Sequence, residues 1–87
     1  MKEIRITINC ENENYCIRKE LIKGKSITFV KDYEGLIDQI YKEIEKNKLI
    51  KLDIKESAKE LLGKDEVNAL ETLIKNYNTR LTSIAAP

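Results

Sequence analysis

The chain has 87 residues, 41% of them hydrophobic and 36% charged, with three glycines, one proline and a formal net charge of +1. That length accommodates one core rather than two, and the composition is too apolar for a disordered tail and too charged for a membrane protein. No apolar run approaches the ~20 residues of a membrane span, and the near-neutral charge offers no global field to draw in nucleic acid or an anionic bilayer.

Residues Ile4-Arg5-Ile6-Thr7-Ile8-Asn9-Cys10 alternate apolar and polar side chains and are rich in β-branched residues, which predicts a strand with one face buried. This alternation is unlike the core of a signal peptide, so a cytoplasmic protein is expected. Glu11-Asn12-Glu13-Asn14 is short and polar, and Asn tolerates left-handed backbone, so a hairpin turn follows. With Asn12-Glu13 at its centre, Cys10 faces Tyr15, Ile8 faces Ile17 and Ile4 faces Leu21. Lys19 alone breaks this pattern of apolar residues meeting across the strands.

Gly24 marks a second turn, and Ile27-Thr28-Phe29-Val30 reads as a third strand with Ile27 and Phe29 turned inward beside Leu21. The expected sheet is a three-stranded antiparallel β-meander with strands 1 and 3 as its edges. One face would carry the isoleucines, and the other would carry Arg5, Thr7, Arg18, Glu20 and Thr28.

Asp32 is placed to cap a helix over Tyr33 to Lys46, whose apolar stripe is Leu36, Ile37, Ile40, Tyr41 and Ile44, with Asn47 as its terminator. Leu49-Ile50-Lys51-Leu52 alternates only briefly and reads as a connection, with a short edge strand as the alternative. Asp53 and Glu56 have capping-box spacing ahead of a short second helix bearing Ile54, Ala58, Leu61 and Leu62, with Gly63 after its end. Asp65 would cap a third helix, in which Val67, Leu70, Ile74, Tyr77, Leu81 and Ile84 recur at spacings of three and four. That stripe is expected to pack on the sheet, and Val67, Leu70, Ile74, Tyr77 and Leu81 are the candidates for self-association into a homodimer. The expected architecture is one α+β domain in the order βββααα: a meander over 1–31, a helical layer of two to three α-helices on one of its faces over 32–84, and a frayed tail over 85–87.

The chain has no histidine, which removes the commonest general base and the usual partner of a Ser or Cys nucleophile. Asp38, Glu43, Glu45, Glu56, Glu60, Glu66 and Glu71 fall on helices off the apolar stripes, where charge is solvated, so no catalytic residue is assigned and a non-enzymatic protein is expected. Two cysteines without histidine are too few for zinc, and Cys10 and Cys16 point to opposite faces of the hairpin, so both read as free thiols. Gly24, Gly35 and Gly63 form no phosphate-binding loop. No cofactor and no metal are expected.

The second helix, the Gly63 turn and the third helix resemble a helix-turn-helix in which Ala58 and Val67 would take the packing positions. The sequence departs from that family in two ways: the glycine follows Ala58 by five residues instead of four, and the reading helix would open with Asp65 and Glu66, whose charges face phosphates badly. A nucleic-acid surface fits the sheet better, because Lys2, Arg5, Arg18, Lys19, Lys23, Lys25 and Lys31 outnumber the acids of that segment. With Tyr15 and Phe29 expected inside, however, that face lacks a stacking platform.

Recognition of another protein is the leading expectation, with Arg5, Thr7, Arg18, Glu20, Thr28, Lys23 and Lys25 as candidate partner-binding residues, by strand addition or charge complementarity. About half the chain is Lys, Ile, Glu and Asn, which suggests AT-rich coding. In size and general organisation the chain resembles the small accessory proteins of phages and mobile elements, anti-CRISPR-type inhibitors among them. That resemblance implies a protein that binds and modulates a larger machine; a small nucleic-acid-binding accessory and a self-assembling structural protein are the alternatives.

Overall fold

The computed structural model describes residues 3–21 and 24–85. The elements run β1 (Glu3–Glu11), β2 (Asn14–Leu21), β3 (Gly24–Val30), α1 (Tyr33–Ile44), β4 (Leu49–Ile54), α2 (Glu56–Leu62) and α3 (Lys64–Ala85). The first hairpin forms in the register the alternation dictates, with Ile8 opposite Ile17 and Cys10 opposite Tyr15. Asn12 and Glu13 take positive φ values of 51° and 66°, as a two-residue turn matched to the strand twist requires.

The sheet has four strands rather than three, in the order β3-β2-β1-β4, with β4 parallel to β1. This corrects the expected three-stranded meander and its βββααα order to βββαβαα, and it places a strand where a connection within the helical layer was expected. Residues 49–54 alternate Leu49-Ile50-Lys51-Leu52-Asp53-Ile54, and Ile50, Leu52 and Ile54 meet Ile4, Ile6 and Ile8 across the ladder. A parallel partner needs a crossover, and α1 supplies it by carrying the chain from β3 at one edge to β4 at the other. β1 is therefore an inner strand and the edges are β3 and β4. Asp53 belongs to the strand, so it does not cap α2; Lys55 holds that position and makes no side-chain cap.

All three helices cover one face. Ile4, Ile6, Ile8, Ile17, Ile50 and Ile54 of the sheet share a single cluster with Leu36 and Ile40 of α1, Ala58 and Leu62 of α2, and Val67, Leu70 and Ile74 of α3. Each fully buried side chain of this size contributes roughly 1.5–3 kcal/mol. Asp32 caps α1 as expected, its Oδ1 accepting from the Gly35 N–H at 2.9 Å. A Cβ at Gly35 would stand 3.1 Å from the Cβ of Val30, so the missing side chain lets α1 seat directly on β3. Asn47, at φ 56°, turns the chain out of α1. Gly63, at φ 90°, separates α2 from α3, and α3 starts at Lys64, one residue before the expected cap Asp65. α3 continues through Ala85, while residues 86–87 of the expected tail lie outside the described residues.

Two devices tie the helices to the strands. At the end of β1 the Lys55 N–H donates to the Ile8 carbonyl at 2.9 Å and the Cys10 N–H to Ser57 Oγ at 3.1 Å. At the β4 edge the Asn78 carboxamide acts like a neighbouring peptide unit: the Ile50 N–H donates to Asn78 Oδ1 at 3.0 Å, and Asn78 Nδ2 donates to the Ile50 carbonyl at 2.7 Å. The Tyr77 hydroxyl donates to the Lys48 carbonyl at 2.6 Å beside it.

Candidate functional site

With every helix on one side, the other face of the sheet is left uncovered. Successive strand residues alternate between faces, so the ladders fix which side chains share it. One row runs Lys25, Glu20, Arg5, Lys51; the next runs Ile27, Arg18, Thr7, Asp53; the third runs Phe29, Cys16, Asn9. Of the expected partner-binding residues, Arg5, Thr7, Arg18, Glu20 and Lys25 stand together on this face. Thr28 does not: it lies opposite Ile17, on the helix-facing side. Lys23 lies outside the described residues.

Ile27 and Phe29 are also on the open face, 52% and 57% exposed, which overturns their expected place in the core. Leu21 pairs with Gly24, so Leu21, Thr28 and Val30 face the helices and the odd-numbered residues of β3 face outward. The pairing of Leu21 with Gly24 fixes that parity, whereas hydropathy alone favours turning Ile27 and Phe29 in. The open face thus has an aromatic and an aliphatic side chain at its β3 side and two arginines at its centre. Arg5 and Arg18 make no ion pair with another side chain among the described residues, while Lys51 lies 3.7 Å from Glu3 and Asp53 lies 2.8 Å from Lys55. Cys16 is buried although it lies on this side, in the row between Phe29 and Asn9, and both it and Cys10 are free thiols.

On the helix-facing side, Lys19 is the residue that broke the apolar pattern, and α1 answers it. Its ammonium lies 3.0 Å from Glu43 Oε1 and 3.0 Å from Gln39 Oε1. Lys46 approaches the same Glu43 oxygen at 3.1 Å. Glu43 is 2% exposed, not solvated as expected, and its Oε2 has no hydrogen-bond partner. Burial pushes its carboxyl up, but hydrogen bonds and charge from Lys19 and Lys46 outweigh that and hold it below the ordinary value of 4.5. Its place three residues after Ile40 and seven after Leu36 was the available sign that it faces inward.

Val67, Leu70 and Ile74, expected as self-association residues, are buried in the core cluster. Tyr77 is half-buried against Lys48, and Leu81 is half-buried near the end of α3. Between β4 and α3 runs an open groove of about 600 Å³, lined in part by Ile50, Leu52, Ile74 and Asn78. Among the described residues no group of three or more Cys, Asp or Glu side chains is disposed to hold a metal ion, and no helix is long and apolar enough to cross a membrane. In comparisons with known proteins the chain matches no family model, no curated protein and no solved structure.

Proposed function

We propose that the protein is a non-enzymatic binding module that docks on a larger protein through its open sheet face and modulates it, in the manner of small phage or mobile-element inhibitors. The carrying observation is the exposure of Phe29 and Ile27 on a helix-free surface, with Arg18 directly across from Ile27 and Arg5 on the same face. Contiguous exposed apolar area rimmed by polar groups marks interaction sites, and aromatic and arginine side chains are the types enriched at their energetic centres. Glu20, between Lys25 and Arg5, gives the surface mixed charge suited to a partner with both signs. Two free thiols on opposite faces accord with work in a reducing cytoplasm.

The test is affinity capture from the source cell with tagged wild type, Phe29→Ser, Arg18→Glu and Leu61→Ser chains. One stoichiometric protein partner, lost with the first two variants and retained by Leu61→Ser, supports the reading. Retention by all variants overturns it. A nucleic-acid accessory is the second reading, favoured by an exposed phenylalanine diagonal to Arg18 on an open sheet face, since aromatic side chains on sheets are platforms on which single-stranded bases stack. Glu3, Glu11, Glu20 and Asp53 on the same face oppose it. Capture of nucleic acid that falls steeply between low and moderate salt would select this second reading.

A further inference from the structure

The two edges of the sheet are treated differently. At β4 the Asn78 carboxamide occupies the outward N–H and C=O of Ile50, and Tyr77 binds the carbonyl of Lys48. β3 is the opposite edge, and among the described residues no element lies beyond it. A strand left this way is a template for pairing, and its residues decide with what.

We propose that β3 pairs antiparallel with β3 of a second copy about a two-fold axis at Ile27, joining two four-stranded sheets into one of eight strands. Strand parity limits the registers, because the helices of both copies stay on one side only when the paired residue numbers sum to an even value. β3 runs from Gly24 to Val30, so its middle residue is Ile27, and only the register centred there pairs every residue of the strand. On the open face Ile27 meets Ile27 of the second copy and Lys25 meets Phe29, an ammonium beside an aromatic ring. On the helix side Ser26 meets Thr28, a pairing of hydroxyls suited to cross-strand positions.

Within β3 itself no like charges are opposed in this register. Centring on Thr28 leaves Gly24 and Lys25 without a partner inside the strand, and centring on Ser26 leaves Phe29 and Val30 without one. In the chosen register Phe29 lies diagonal to Ile27 of the other copy, so the four apolar side chains, exposed in the single chain, form one continuous patch. This inference goes beyond partner docking and stands or falls independently of it.

Purified protein is examined by sedimentation equilibrium from roughly 10 μM to 1 mM, the range for a small strand-edge interface. The expected result is a reversible rise from the mass of one chain to that of two. Ile27→Lys, which opposes two ammonium groups at the axis, should abolish it while leaving the circular dichroism spectrum unchanged. Register is read in a Cys10→Ser, Cys16→Ala background by mild oxidation. Directly paired Cα atoms lie about 4.5–5.5 Å apart, within reach of a disulfide, so Ile27→Cys should cross-link. Phe29→Cys should do so at least ~10-fold more slowly, its copy being four residues, about 14 Å, along the strand. A single-chain mass throughout overturns the proposal, as does cross-linking at 29 in preference to 27. A chain that stays single yet captures its partner overturns this inference alone.

Discussion

Replacing Lys19 by methionine removes the ammonium that lies 3.0 Å from Glu43 Oε1 and leaves a carboxylate that is 2% exposed. Breaking a buried pair from one side costs about 3–5 kcal/mol, because the remaining charge is left in a medium that solvates it poorly. Lys46 stays 3.1 Å from the same oxygen but is itself half exposed, so the loss should lie near the lower end, about 3 kcal/mol. For a domain of this size the whole stability is of order 4–13 kcal/mol, and the melting temperature should fall by roughly 12–24 °C. The double variant Lys19→Met, Glu43→Leu removes both charges and should recover most of the loss, since apolar replacement of a buried pair is often neutral or better. Urea unfolding followed by circular dichroism across the four-member cycle measures all of this. A loss under about 1 kcal/mol, typical of a solvent-exposed pair, would refute the reasoning, as would a double variant no more stable than the single one.

The same cluster gives a pH signature. Because the Glu43 carboxyl is held below 4.5 in the folded chain, its contribution is complete above that unfolded value and is lost as pH falls through the lower folded value; unfolding curves from pH 7 to 2 should show this decline, smaller in Glu43→Gln. Glu13→Gly relieves a side chain at φ 66° and should raise stability by up to about 1 kcal/mol, seen as a higher melting temperature. Gly63→Ala forces a Cβ onto φ 90° and should lower stability by about 1–2 kcal/mol in the same assay. Asn78→Leu strips two hydrogen bonds from Ile50 and should lower stability by about 2–3 kcal/mol in urea unfolding.

What local pattern dictates was legible in the residues. The β1–β2 register follows from alternation on both sides of a turn whose length is fixed by Asn12 and Glu13, and the α1 cap at Asp32 from a single side chain. β4 was legible only as the alternative to a connection, because its partner β1 lies more than forty residues earlier and a parallel pairing leaves no turn to announce it; Ile54 fits a strand as well as a helix face. The open face was half legible. Arg5, Thr7, Arg18 and Glu20 follow from the first hairpin, but the outward setting of Ile27 and Phe29 does not, because the rule that buries apolar residues runs only one way. Lys19 announced a buried counter-charge without naming it, and Glu43 was hidden among ten other glutamates.

The Asn78 bracket also bears on how far copies of this chain can grow together. A sheet with two receptive rims can add molecules without end; the carboxamide on Ile50 obstructs the β4 rim, so copies that join at β3 as proposed would stop at two. Asn78→Leu would uncover the Ile50 N–H and C=O as a second pairing edge, and chains that join at β3 should then extend into polymers instead of stopping at two copies.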